Sequence, residues 1–557
     1  MYNKMKHIPV ILAVAHLLTA CKGDEPAIEI TPDNPLMSDL TFNIEGQKAT
    51  LTDVKESCLS VIIPPTIDYN GKSIQVTQIG KSAFSNCTNL TNLTLPPDIE
   101  YIHDYAFKNT AIKNLNLTDV RPWCKVKMEK YTSTNSPIHT GTTLSINGVA
   151  VDTLVVSPPV VNINPFVFAN LNCNALIIEK GIKTIGTKSF SRTQFSHIQL
   201  ADGIMRIEDE AFKDCGNLTT VKFGVYTPQE REEYGLYIGN NAFQGTHIKE
   251  IQIPDYTYIQ DEAFSSVENL YLGDNIYVIG SGFIEYTKNV YAQSIESYCN
   301  ITFAKQLNDI IIDQNPHPSD RALFSNNKSI EDLIIPYNVK RIKPFSFACY
   351  NNIRSVHFEE GAEKIEDFAF FSCQGIKDAI FSSSVKTIGQ FAFRDCTSLE
   401  KIELNEGITT IEGYVFENCS SLSSVVIPST LVSLKGGAFR NCTGLKSAIF
   451  KNGTRYIGYK SFYNCSNLEI VALPSTLISL DEYAFGNCDK LKQVFMPCKD
   501  LPHTETHDYT IFSDSTYETG VLYVPEGCIN KYKEDSQWGK FKHIEEFDFS
   551  NNDYLNK

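Results

Sequence analysis

The stretch IGQFAFRDCTSLEKIELNEGI, residues 388–408, holds two different periods in one short unit. Phe393, Cys396 and Leu399 recur every three residues, as in a helical or 3₁₀ turn, whereas Ile402 and Leu404 alternate, as in a half-buried strand. A turn, a strand and a breaker at Gly407 make one coil of a repeat array. The coil recurs, because Phe324, Phe347, Phe370, Phe393, Phe416, Phe439, Phe462 and Phe485 follow one another at intervals of 23 residues. Around Phe416 the same offsets carry Cys419, Leu422, Val425 and Ile427, and many coils add a second apolar pair such as Leu431 and Leu434. Earlier copies lie at Phe84, Phe107, Phe168, Phe190 and Phe212, with Phe243, Phe264 and Phe283 at less regular spacing.

A parallel β-helix would show three alternating runs per coil and no three-residue spacing, so the expected fold is a leucine-rich repeat solenoid. Each coil then has one strand and one helical or 3₁₀ turn, and short β-rich caps close the array. The unit I-G-x-x-A-F-x-x-C-x-x-L-x-x-I-x-L-P, as in residues 79–96, resembles the bacterial BspA-like leucine-rich repeat family, and the likeness extends over about 45–547. Residues 521–525 (VLYVP), with Tyr532, Trp538, Phe541 and Ile544, resemble the closing unit of that family, and residues 61–80 its opening unit. The resemblance implies a surface or secreted binding protein, often linked to adhesion, without known chemistry. Period and Phe are lost at 120–160 and 285–320, where hairpin insertions or bends are expected.

The first residues carry an address. Lys4 and Lys6 precede an apolar run over 8–18 that is too short to span a bilayer and suits the core of a signal peptide. It ends in Leu18-Thr19-Ala20-Cys21, which resembles a bacterial lipobox, so Cys21 is the expected site of lipid attachment. Residues 22–25 (KGDE) resemble the acidic tag of surface-exposed lipoproteins in some anaerobic Gram-negative bacteria, which implies the outer membrane and the cell surface. The expected division is therefore a signal peptide at 1–20, a tether at 21–38, an N-terminal cap at 39–78 and repeats at 79–296. A break at 297–320, regular repeats at 321–498 and a C-terminal cap at 499–557 follow.

A net charge of −16 over 557 residues disfavours the phosphate backbone as a partner, and nucleic acid is set aside. Sixteen cysteines in an exported chain would ordinarily suggest disulfides. Eight of them, Cys87, Cys215, Cys373, Cys396, Cys419, Cys442, Cys465 and Cys488, sit three residues after the repeat Phe, so a buried ladder of free thiols is expected instead. The pair His503 and His507 lies among turn formers after Pro502 and reads as a polar loop, so no metal and no cofactor is expected. No phosphate-cradling loop or nucleophile elbow occurs, and no catalytic residue is assigned.

A ligand site is therefore sought on the outer face of the strands, where side chains between inward residues point away from the core. The middle outward position runs Thr94, Asn116, Gln199, Lys222, Gln252 and Tyr271, then Ile334, His357, Ile380, Glu403, Val426, Ile449, Ala472 and Phe495. The second half is largely apolar, and an aligned apolar ridge marks an interaction surface. Ile334, His357, Ile380, Glu403, Val426, Ile449 and Phe495 are the expected binding residues. The function that follows is a surface-anchored, non-enzymatic binding scaffold for a protein or glycan of a host or neighbouring cell. The alternative is an extracellular enzyme acting on a polymer such as a polysaccharide.

Overall fold

The computed structural model describes residues 39–224, 235–265, 267–282, 287–303, 321–504 and 509–550. The expected signal peptide, Cys21 and the expected tether lie outside the described residues, as do Phe283, Glu505 and His507. The chain is a leucine-rich repeat solenoid. Each coil contributes a strand of three or four residues, such as Ser424–Ile427, and one of two, such as Ser433–Leu434. The alternating pair Val425 and Ile427 thus builds one stack, and the second apolar pair, through Leu434, builds another. Both stacks are parallel and in register: Val425 lies beside Ala448, and Leu434 beside Ile457. The short strands form seven-stranded sheets from Asn162–Ile163 to Thr302–Phe303 and from Arg341–Ile342 to Ser479–Leu480.

The three-residue spacing is realised as a chain of tight turns. Glu417 N–H and Cys419 N–H donate back three residues, to the carbonyls of Tyr414 and Phe416, at 3.3 and 3.2 Å. The alternate amides of Tyr414, Phe416 and Asn418 donate to the next coil, to Gly436, Ala438 and Arg440. Tyr414 and Asn418 have φ of 59° and 62°, and two left-handed residues four apart stop a helical ladder. Asn and Asp tolerate that conformation, which explains why they precede the repeat cysteine. They also bond to one another between coils: Asn464 donates to Asn441, Asn441 to Asn418 and Asn418 to Asp395, at 3.0, 2.8 and 2.5 Å.

The repeat phenylalanines stack along the axis. Phe347, Phe370, Phe393, Phe416, Phe439, Phe462 and Phe485 have consecutive ring centroids 4.8 to 5.6 Å apart and are fully buried. Phe512 extends the ladder at 5.4 Å, after a step of 27 residues. Phe324 corrects the sequence reading, for it is not in this ladder. It lies in the strand Ala322–Ser325, beside Tyr291, on the outer face.

The irregular segments share one construction. A short helix, Val120–Trp123 or Ile295–Cys299, is followed by a two-residue strand, Lys127–Met128 or Thr302–Phe303. Further on, an antiparallel hairpin pairs Thr143–Ile146 with Val149–Ala150, and Ala322–Ser325 with Lys328–Ser329. Left-handed turn residues Asn147 and Gly148, or Asn326 and Asn327, close each hairpin.

The regular coils come in pairs. Ser383, Ser429 and Ser475 each donate their N–H and hydroxyl to a side chain of the preceding coil, to Glu360, Glu406 and Asn452 respectively, at 2.6 to 3.0 Å. The residue after each of these acceptors is Gly361, Gly407 or Gly453, and the residue after each serine is Ser384, Thr430 or Thr476. Gly361 N–H and Gly453 N–H donate to the hydroxyls of Ser384 and Thr476, both at 2.9 Å. The turn chemistry therefore repeats every 46 residues although the core repeats every 23.

The described cysteines are free thiols. Burial pushes the Cys215 thiol up to about 11, so it stays protonated and unreactive. Cys396, Cys419, Cys442, Cys465 and Cys488 each direct Sγ at the carbonyl of the preceding coil's Phe, at 3.1 to 3.3 Å. Other coils place Thr at this position, and the Thr110 and Thr246 hydroxyls donate within their own coil, to the carbonyls of Phe107 and Phe243 three residues back. A hydroxyl thus has an acceptor in this setting. Cys419→Ser is expected to cost only about 1 kcal/mol in denaturant unfolding, the worth of one rearranged hydrogen bond, and a loss above about 3 kcal/mol would show that the acceptor is not reached.

Candidate functional site

The outer face of the long strands is positioned by the inward residues that flank it. Leu333 and Ile335 are buried on either side of Ile334, and Val425 and Ile427 on either side of Val426, so the middle residues must face out. Ile334 is 54% exposed and Val426 46%, while Ile380 is half-buried and His357 and Glu403 are exposed. Parallel pairing sets Ile334 beside His357, His357 beside Ile380 and Ile380 beside Glu403. This part of the expected row is open and mixed, apolar residues alternating with a histidine and a carboxylate.

The rest of the row is not open, which corrects the expectation for Ile449 and Phe495. Both face outward in register, as Val426 beside Ile449 and Ala472 beside Phe495 show. Nevertheless Ile449 is 5% exposed, Ala472 0% and Phe495 1%. They form a second, smaller apolar cluster with Tyr523, Phe547 and Phe549 of the cap packed over them. The Phe495 ring stacks on Tyr523 at 4.7 Å and meets Phe547 edge-on at 5.2 Å. The last strand, His543–Phe547, pairs in parallel with Val521–Pro525 and brings these rings onto the outer face. The apolar character of Phe495 and Ile449 therefore belongs to closure of the array.

The outer face also carries an aromatic ladder that sequence reasoning missed. Tyr271, Tyr291 and Phe324 occupy paired outward positions and stack at 4.3 and 4.6 Å. Beside them the Asn289 amide donates to Asn269 at 2.7 Å. The constant 23-residue interval was the misleading signal, because it assigned Phe324 to the core ladder. The signal that could have found it is the loss of the A-F-x-x-C unit, since Leu323 precedes Phe324 and Asn327 stands three residues after it, behind the turn former Asn326.

Among the described residues no three His, Cys, Asp or Glu side chains converge to hold a metal ion. His503 lies in an isolated bridge to Ser479, and its partner in the expected loop, His507, lies outside the described residues. Among the described residues no helix is long and apolar enough to cross a membrane.

The model of the BspA type leucine rich repeat region matches residues 42–123, 161–290, 236–330, 318–446 and 409–519. No curated protein matches the chain. Among solved structures, a leucine-rich repeat protein from Bacteroides ovatus is 18% identical, with 84% of this chain and 98% of that one covered and a TM-score of 0.42. The leucine-rich repeat protein of T. pallidum is 23% identical over 35% of this chain and 74% of its own, with a TM-score of 0.25. The pneumococcal vaccine antigen PcpA is 16% identical over 92% of this chain and 98% of its own, with a TM-score of 0.28. With its coil motif matched over well more than half its length, the chain belongs to the BspA-type leucine-rich repeat family.

Proposed function

We propose that this chain is a cell-surface binding scaffold, anchored in the outer membrane through lipid on Cys21, that engages a protein or glycan of a host or neighbouring cell. The observation that carries the reading is the open, registered row Ile334, His357, Ile380 and Glu403 on the outer face of the array, with the exposed Val426 on the first strand of the next sheet. Exposed apolar side chains held in fixed register beside polar ones supply burial and orientation together. The acidic net charge of −16 favours partners other than nucleic acid.

The test of the surface is the double substitution Ile334→Lys with Val426→Lys, measured by melting temperature and by capture on arrays of host matrix proteins and neutral glycans. Binding is expected to fall to background while stability changes within about 0.5 kcal/mol, as for other surface positions. Unchanged capture by the folded variant would remove this face from the reading. Ile449→Lys is the contrast, since it places an ammonium beneath Phe547 and Phe549 and should lower the melting temperature without touching the open row. The anchor is tested separately: Cys21→Ala should move the protein from the membrane fraction to the soluble fraction, and retention with unchanged mobility refutes lipidation.

A further inference from the structure

A cleft of about 1040 Å³ lies on the other face of the solenoid, where the N-terminal short-strand sheet meets the first irregular segment. Its floor is made by Gln75 and Gln78 of the eight-residue strand Lys72–Ile79 and by Tyr101 and Lys127 of the two-residue strands Tyr101–Ile102 and Lys127–Met128. Its wall is the short helix Val120–Trp123 with its flanks, fixed from below by Trp123, whose ring is 3% exposed and whose Nε1–H donates to the Val167 carbonyl at 2.8 Å. Pro159 and Val160 close the far side. The helix carries Arg121, and Lys125 follows in the turn after it, so both line the cleft beside the sheet.

The charges in this cleft are unevenly matched. Asp119 is engaged by Arg121, whose guanidinium bonds it at 2.6 and 2.7 Å and holds its carboxyl below the usual range. Glu100 pairs with Lys48 at 2.5 Å. Lys125, in the turn after the helix, and Lys127, the first residue of the following strand, are both exposed on either side of the buried Val126, and among the described residues neither has an acid partner. Beside them Gln78 is oriented by its Oε1, which bonds His103 at 3.0 Å and leaves its amide N–H groups for a ligand. The Tyr101 ring, 4.8 Å from that of His103, adds a small apolar plate. Asp98 is the one lining carboxylate without a partner among the described residues, against the two free ammonium groups of Lys125 and Lys127, so the unpaired charge of the cleft is positive by one in a chain of net charge −16.

The geometry points to this cleft as a binding site for an acidic oligosaccharide, one whose sugar units carry carboxylate or sulfate. The volume is at the top of the usual range for ligand pockets of about 300 to 1,000 Å³, which suits several sugar units. Lys125 and Lys127 meet the anionic groups, the Gln75 and Gln78 amides meet hydroxyls, and Tyr101 meets a ring face. An acidic peptide fits less well, because the edge at which it would add as a strand is occupied. The Asn164 amide donates to the carbonyls of Lys125 and Val126 at 2.7 and 3.2 Å, and Asn164 N–H donates to Cys124. The assignment rests on the reading of the chain as a binding scaffold but names a site apart from the long-strand row.

The experiment is calorimetric titration of the purified full chain in detergent with tetragalacturonate, a heparin-derived hexasaccharide and sialyllactose. Neutral maltotetraose and hexaglutamate serve as controls. At least one acidic sugar should bind, more weakly as salt rises, and the double variant Lys125→Ala with Lys127→Ala should lose about ten-fold or more in affinity, the scale of one lost charge-assisted bond. Both lysines are exposed, so the variant's unfolding curve should match the parent's. Binding by none of the three acidic sugars overturns the proposal, as does equal binding by the double variant or a preference for hexaglutamate. The variant Ile334→Lys with Val426→Lys separates the two readings. It should keep full affinity for the acidic sugar: loss of that affinity in the folded variant overturns the cleft as a separate site, whereas unchanged capture on the arrays overturns the long-strand row alone.

Discussion

Phe416→Ala is expected to destabilise the chain by about 3 to 5 kcal/mol in denaturant unfolding, the range for truncating a core phenylalanine. The ring is fully buried between Phe393 at 5.6 Å and Phe439 at 5.2 Å, so its loss removes two stacking contacts and leaves a void on the axis. A solenoid cannot heal such a void by collapse, because each coil is held in register by backbone bonds to its neighbours, as Phe416 N–H is to Ala438 at 2.8 Å. Amide exchange should therefore rise first in the coils on either side of 416. A loss below about 1 kcal/mol would contradict the placement of this ring.

Gly453→Ala is expected to cost roughly 2 to 6 kcal/mol, the sum of backbone strain and steric displacement. Gly453 has φ of 149°, and a Cβ there would fall 1.7 Å from the Ser429 carbonyl oxygen of the preceding coil. That oxygen belongs to backbone and cannot swing aside as a side-chain tip could. Gly216→Ala is the control, since a Cβ at Gly216 meets nothing within 4 Å and its φ needs no left-handed residue. A melting temperature for Gly453→Ala as high as for Gly216→Ala would show that the two coils do not approach so closely.

The coil was legible in the sequence because its inward positions are set by one repeated physical demand. Phe393, Cys396 and Leu399 must all reach the axis, and a polar substitution at Phe393 or Leu399 would be buried without a partner. The outer face answers to neighbours instead. Ile380 and Ile449 are the same residue at the same offset, yet one is half-buried and the other covered by Phe547, about a hundred residues later in the chain. No local pattern distinguishes them. Phe512 escaped notice for a related reason: the ladder it completes is spatial, and the 27-residue step reflects a longer loop rather than a different role. The cleft was equally hidden, because Gln78 and Lys127 belong to different coils and Arg121 to a segment without period.

The alternation of Glu360, Ser383, Glu406, Ser429, Asn452 and Ser475 sets the increment by which this array can change length. Excising 23 residues would keep every Phe in line but would set two serine turns side by side with no carboxylate between them, or two carboxylates with no serine. Loss of the Ser384 coil, for example, would bring Gly361 opposite Gly407 and remove the hydroxyl that receives the Gly361 N–H. Excising 46 residues would restore both the acceptors and the close approach. Shuffled or designed versions of this protein should accordingly tolerate gain or loss of coils in even numbers and resist odd ones, so that duplication proceeds by dimeric units even though the visible motif is a single coil.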